Sequence, residues 1–265
     1  MLKKSSRPDS AFLPRKSTGL DCPETTLRRR QIIERKVFLK KFYNECYLKI
    51  ANSLPAAIEG PILELGSGAG FLKEYIPRLL TSEIIPISTV DIILDGTRLP
   101  FADDTLSGIV MMDVLHHIPD PACFFSNAAA CIKPGGLIIM IEPWSTPWSR
   151  FVYRHLHHEP FDPDAKDWEM PAGGPLSRAN SALPWIIFQR DRQKFEHEFP
   201  QFQLQEIFLS FPICYLFSGG FATNASLPGK MYNTVRKIEN MAQPWMNWLA
   251  MFAKIILKRK YSART

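Results

Sequence analysis

The chain is predicted to fold as an α/β protein, with a mostly parallel sheet covered by helices on both faces. Two observations predict this. From Pro61 onward, short apolar runs that end in Gly or an acid alternate with helical stretches, the pattern of strand–helix–strand units. In addition, the first of these runs passes directly into a glycine-rich turn and then toward a helical stretch.

The elements follow in order. Residues 1–20 mix Pro, Ser and Lys/Arg and read as a loose arm. Asp21 and Glu24 have capping-box spacing, and Leu27, Ile32, Phe38, Phe42 and Ile50 recur at roughly helical intervals. One or two helices are expected over about 24–53, ending before Pro55. Strands are expected at Pro61–Leu65, Val90–Leu94, Ser107–Met112 and Leu137–Ile141. Phe71–Leu80 reads as a helix shortened by Pro77, Pro121–Ile132 as an Ala-rich helix, and Lys133-Pro134-Gly135-Gly136 as a turn. Residues 143–200, rich in Pro, His, Trp and acids, read as an insertion after the fifth strand. Phe202–Phe208 is a strand, Pro228–Met241 a helix and Trp248–Leu257 a long apolar run. The division expected is an arm and helical lid over 1–55 and one domain over 56–265, with 143–200 on its substrate side.

Length and composition bound the possibilities. A chain of 265 residues with 46% apolar and 22% charged residues buries a substantial core without disulfides or metals. Its net charge of +6 is concentrated at the ends, with +8 over residues 1–49 and +5 over 254–265. Such runs usually only solvate a helix face or tail, although they also suit an anionic partner. Five scattered cysteines, none in a CxxC, suggest reduced thiols and a cytoplasmic setting. The first residues lack the apolar segment of a signal peptide, and no run approaches membrane-spanning length.

The chemistry concentrates in Ile62-Leu63-Glu64-Leu65-Gly66-Ser67-Gly68-Ala69-Gly70-Phe71. Glycines here permit positive φ and close approach of backbone to a ligand. The spacing is ExGxGxG, unlike the GxGxxG of dinucleotide-binding dehydrogenases. This segment resembles motif I of class I S-adenosylmethionine-dependent methyltransferases. Leu94-Asp95-Gly96-Thr97-Arg98-Leu99-Pro100-Phe101-Ala102-Asp103 is similar to the family's segment after the third strand. Val110–Ile118 is similar to its fourth strand and following loop, and Lys133-Pro134-Gly135-Gly136 before an apolar strand is a frequent family feature. The resemblance covers about residues 60–142, with the texture of small-molecule enzymes of the quinone-biosynthesis kind.

The resemblance implies a Rossmann-like sheet of seven strands, the last antiparallel, and S-adenosyl-L-methionine as cofactor. It implies that Gly66, Ser67, Gly68 and Gly70 pass around the methionine part, and that Glu64 helps hold its amino end. Asp95, followed by Gly96, would accept from the adenine amino group. An acid ending the second strand would take both ribose hydroxyls: Glu83, 19 residues after Glu64, or its rival Asp91. Only six residues separate Glu83 from Val90, too few for the usual crossover helix, so the second strand must be short. Asp113, His116, His117 and Glu142 belong to the same edge of the sheet, where open α/β sheets bind ligands.

An acceptor hydroxyl would benefit from a base, and His117 or His116 is the candidate. His155, His157, His158 and Trp144 in the insertion are candidates for contacts to the acceptor. Three histidines and Glu159 invite a metal reading, but no partner cluster with ligand spacing appears elsewhere in the sequence, so no metal is expected. Trp245, Trp248, Phe252 and Ile255 read either as one face of an interfacial membrane helix or as part of a buried last strand; the strand is preferred. The expected activity is methyl transfer to a small-molecule acceptor at oxygen. The competing functions are a cofactor-binding partner without transfer activity and a nucleic-acid methyltransferase. Asp113-Val114-Leu115-His116 stands where amino-directed nucleic-acid enzymes carry Asn/Asp-Pro-Pro-Tyr/Phe, so a nucleic-acid partner is not expected.

Overall fold

A computed structural model describes residues 19–55, 59–68, 70–157, 159–170, 173–223 and 225–261. Nearly all of the basic arm, and His158, lie outside the described residues. The strands are β1 (Ile62–Glu64), β2 (Leu79–Glu83), β3 (Ile92–Ile93), β4 (Leu106–Met112), β5 (Ile132–Pro143), β6 (Phe202–Ser210) and β7 (Phe252–Arg259). They form one sheet in the order β3-β2-β1-β4-β5-β7-β6. β1 pairs in parallel with both β2 and β4, and β4 with β5, whereas β7 runs antiparallel between β5 and β6. The order reverses between β1 and β4, and the crevice beyond the carboxyl ends of those strands is where this architecture places ligands.

The two-residue period of a strand explains the two-sided core. Ile109, Met111, Ile138, Met140, Ile255 and Leu257 point to one face, and Val110, Ile139, Ile141 and Ile256 to the other. The first face is covered by α3 (Pro121–Cys131) and by the segment between β5 and β6. From that segment α5 (Leu183–Trp185), leading into a π-turn at Ile186–Arg190, and α6 (Arg192–Glu198) pack on this face, whereas α4 (Pro147–His155) buries Val152 and Tyr153 on the other. Phe125 stands among Phe188, Phe195, Phe199 and Phe202, with ring centroids 5.1–6.4 Å apart. Residues 183–199 are thus part of the core, and so are Trp144 and Trp168 before them.

The second face is covered by α1 (Pro23–Arg35) and α2 (Val37–Ser53). Phe38, Leu39 and Phe42 of α2 are fully buried, so this helix shares its core with the sheet. Glu45 ties it to α8 (Tyr232–Met241): its carboxylate accepts from Tyr232 Oη at 2.7 Å and from Arg236 Nη2 at 2.7 Å. Glu239 of α8 accepts in turn from the backbone of Ile213 and Cys214, at the start of α7 (Cys214–Phe217).

Several expectations are corrected. Phe71–Leu80 is not a helix: a single 3₁₀ turn at Leu72–Glu74 is followed by β2, because Pro77 cannot continue a helix and Leu79 and Leu80 pair with Ile62 and Leu63. Asp21 does not cap α1, whose N-cap is Cys22; it accepts instead from Leu176 and Ser177 in the distant insertion. Lys133–Gly136 does not separate two elements but bulges within β5, opposite a register shift between Leu106 and Gly108. Trp245 and Trp248 fall outside the last strand and are exposed, Trp248 on the short α9 (Met246–Leu249), while Phe252 and Ile255 are buried in β7. Among the described residues no helix is long and apolar enough to cross a membrane.

Phe125→Ala removes the ring at the centre of the aromatic cluster. The expected loss is about 3–5 kcal/mol, read as a lower urea midpoint with an unchanged slope.

Candidate active site

A deep pocket opens beyond the carboxyl ends of β1, β2 and β4. The glycine turn forms its floor. Gly66 has φ +67°, and a Cβ there would stand 2.6 Å from Val114 Cγ2. Gly68 has φ +47°, and its N–H donates to Glu83 Oε2 at 2.9 Å. Both positions need the left-handed conformation that glycine adopts freely. Ser82 N donates to Ser67 Oγ at 3.1 Å, which locks the turn to β2.

Of the residues singled out in the sequence, Glu64, Gly66, Ser67, Gly68, Gly70, Glu83, Asp95, Gly96, Asp113 and His117 all line this pocket. Asp91 does not. Its carboxylate is bound by Lys73 at 2.6 Å and by Thr81 N and Oγ1, and the Lys73 hydrogen bond holds its pKa down to about 2. Of the two ribose candidates, Glu83 is therefore the one facing the pocket. Asp95 Oδ1 accepts from Thr97 N and Oγ1, both at 2.8 Å, which orients its carboxylate.

Two acids lie side by side on the floor. Burial pushes Glu64 up to about 7, opposed by the Ser67 hydrogen bond and reinforced by the charge of Glu83. Burial also raises Glu83, against the Ile84 and Gly68 N–H groups that favour its charged form.

The wall is built on Glu142, a fully buried acid of β5. One oxygen accepts from Val114 N and Leu115 N at 2.8 Å each; the other lies 2.8 Å from His116 Nδ1. A carboxylate can only accept here, so Nδ1 carries the proton and His116 Nε2 points onward. That atom faces Glu159 Oε2 at 3.4 Å and Asp113 Oδ1 at 4.0 Å. Burial favours the neutral ring, but Glu142, Glu159 and Asp113 outweigh it and hold His116 well above the usual imidazole range. Asp113 sits at φ +63°, tolerable for a short acid. Although a third of its side chain is open to the pocket, desolvation raises its carboxyl, with Glu159 and Glu142 adding to the shift and His116 opposing it.

His117 Nδ1 lies 2.9 Å from the carbonyl oxygen of Arg178. A carbonyl only accepts, so Nδ1 is the protonated nitrogen and Nε2 presents its lone pair. Burial, then the His116 charge, pushes His117 down to about 4, which keeps the ring neutral.

Other sequence candidates fall elsewhere. His116 is fully buried behind the wall. Trp144 is in the core, because it packs against the first face of the sheet. His155 is exposed on α4, its ring 5.0 Å from that of Phe151. His157 stands behind Glu159, accepting at Nδ1 from the Glu159 N–H at 3.3 Å, with its ring against Tyr153.

Several lining residues carried no sequence signal. Thr26, Arg29 and Ile33 of α1 and Tyr43 and Tyr47 of α2 roof the pocket from the N-terminal side. Arg178, Tyr215 and Phe221 close it from segments 61–104 residues beyond His117. Only the expectation of a helical lid pointed to any of them.

Residues 35–209 match the family described as methyltransferase domain, and the chain belongs to that family. Over 105 residues, 32% of the chain, it is 23% identical to the ubiquinone biosynthesis O-methyltransferases of Xanthomonas axonopodis pv. citri (strain 306) and Xanthomonas euvesicatoria pv. vesicatoria (strain 85-10). The match spans 44% of the length of these relatives. Two solved structures share the fold at 12% identity and a TM-score of 0.52. One is geranyl diphosphate C-methyltransferase from Streptomyces coelicolor A3(2), solved with Mg²⁺, geranyl diphosphate and S-adenosyl-L-homocysteine; the likeness covers 92% of this chain and 89% of that one. The other is a chain of the complex between the Haloferax volcanii Trm112 methyltransferase activator and a methyltransferase, with 91% and 97% covered.

The raised pKa of Glu64 has a signed consequence. Its folded value lies above its ordinary 4.5, so the fold prefers the protonated form. Stability from this group is full below about pH 4.5 and falls as pH rises to about 7, by up to about 3 kcal/mol. Glu64→Gln should therefore unfold at higher urea than the parent at pH 8, and at nearly the same urea at pH 5, both without cofactor.

Proposed function

We propose that this member of the methyltransferase-domain family is an S-adenosylmethionine-dependent enzyme that transfers a methyl group to a hydroxyl oxygen of a small-molecule acceptor. The observation that carries the reading is His117 Nε2, left as an acceptor by the Nδ1–Arg178 bond, on a ring that lines the pocket wall. It is positioned to take the proton of a hydroxyl as that oxygen becomes the nucleophile. The 23% identity to O-methyltransferases over one third of the chain is in keeping with oxygen.

The pocket fits the cofactor. Gly66 and Gly68 leave the floor free of side chains where a ligand's methionine part would pass, and Glu64 and Asp113 would attract its amino group. Glu83 is set to receive the ribose hydroxyls, and Asp95 with Gly96 the adenine end. When bound, S-adenosylmethionine supplies a methyl carbon whose bond to sulfur breaks, with the electrons retained on sulfur, as the acceptor oxygen attacks. The protein's share is alignment and exclusion of water. The roof from α1 and α2, with Phe221 packed against Arg29 and Tyr43 and Tyr215 against Phe42, provides that enclosure. His117 would return its proton to solvent after transfer.

Calorimetry provides the test. S-adenosylmethionine and S-adenosylhomocysteine should bind at micromolar concentration, and NAD should not. Gly68→Val should abolish binding by placing a branched side chain beside Glu83, where even a Cβ would stand 3.5 Å from Oε2. Asp95→Ala should weaken binding by roughly 1–3 kcal/mol. With methyl-labelled cofactor and a panel of hydroxy, amino and activated C–H compounds, label should appear in ethers; label in amines or new C–C bonds instead would overturn the assignment to oxygen.

A further inference from the structure

His116, His117 and Glu159 make an arrangement that proton transfer alone does not require. Both imidazoles are anchored through Nδ1, His116 to the Glu142 carboxylate and His117 to the Arg178 carbonyl. Both therefore direct Nε2 into the same space. Metal-bound histidines are oriented in this way, the distal ring nitrogen donating to a carboxylate or a backbone carbonyl. His116 is fully buried, and its Nε2 faces Glu159 Oε2 at 3.4 Å and Asp113 Oδ1 at 4.0 Å, so an ion bound there would take the place of the proton that these acids favour. Glu159 reaches the same point, with one oxygen 3.4 Å from His116 Nε2 and the other 3.9 Å from His117 Nε2. The ligating atoms of all three residues lie within 4.8 Å of one another. Tetrahedral zinc ligands at about 2.0–2.1 Å from the ion stand about 3.3–3.4 Å apart, so small side-chain movements close the set.

We propose that His116 Nε2, His117 Nε2 and Glu159 form a binding site for a divalent transition-metal ion, with Zn²⁺ the best match. Two imidazoles and one carboxylate suit zinc, whereas Mg²⁺ prefers oxygen ligands throughout. Three protein ligands leave a fourth position, and His117 and Glu159 line the pocket, so that position faces the acceptor space. Asp113 bounds the site on its other side. No metal was expected from the sequence, for want of a partner cluster; the fold supplies one by bringing Glu159 against a His pair 42 residues earlier.

The ion's role rests on the reading of transfer to oxygen, but its binding does not. A bound ion would lower the pKa of an acceptor hydroxyl at the open position, with the proton released to solvent. His117 would then serve the hydroxyl through the ion, and directly when the site is empty.

The test is calorimetric titration of the full-length chain, freed of metal with a chelator, with Zn²⁺ alone. Visible absorption with Co²⁺ reports the geometry. One Zn²⁺ per chain and a tetrahedral Co²⁺ spectrum are expected. His117→Ala and Glu159→Gln should each weaken uptake by about 100-fold or more, above the loss typical of removing only an outer hydrogen-bond partner. His197→Ala, on the exposed face of α6, should change nothing. Thermal melts of each variant establish that it folds, and His116→Ala is avoided because it would empty a buried position. No uptake, or uptake unchanged in both pocket variants, would overturn the site. S-adenosylmethionine titrated into the same metal-free sample reads the cofactor pocket separately, so failure of one reading is distinct from failure of the other.

Discussion

The buried carboxylate of Glu142 is the interaction on which the pocket wall depends. A buried carboxyl is costly unless it is hydrogen-bonded, and here two backbone N–H groups and one imidazole donate to it. In meeting that requirement, Glu142 pins the loop after β4 to the end of β5. The loop's path then follows. Asp113 takes a left-handed conformation, His116 is drawn inward, and the next ring turns outward to the pocket. Two adjacent histidines thereby acquire opposite characters: one held among acids and charged, the other desolvated beside a cation and neutral.

The floor and roof obey different logic. The floor is backbone and acid, held in place by hydrogen bonds between the glycine turn and β2. The roof is aromatic and basic, and comes from helices whose other side is core. Because α2 is buried against the sheet through Phe38 and Phe42, the tyrosines of its pocket side are carried on a rigid support.

How far these features could be read from sequence depended on how local their causes are. The glycine turn, the strand ends and the acids at them were legible, since each is set by residues a few positions apart. Glu83 was found from its spacing to Glu64, although the helix expected just before it was wrong: one proline and the pairing of Leu79 with Ile62 overrode an apolar pattern equally suited to a strand. What was illegible is what long-range contact decides. Trp144 and His155 looked like pocket residues because of their neighbours in sequence, but the packing of the crossover turns one into the core and the other to solvent. Glu159 stood in plain view in the sequence, yet its meeting with His116 is a product of the fold.

Asp21 shows how one misread residue alters the picture of the pocket. Its carboxylate joins α1 to the backbone of Leu176 and Ser177 at 2.6 and 3.0 Å. The first of these segments contributes Thr26, Arg29 and Ile33 to the pocket, and the second Pro175, Leu176 and Arg178. The two halves of the roof are therefore latched together across more than 150 residues of chain. Because that one carboxylate bridges them, the two halves of the roof keep their places relative to each other, and the outline of the pocket is set by both together.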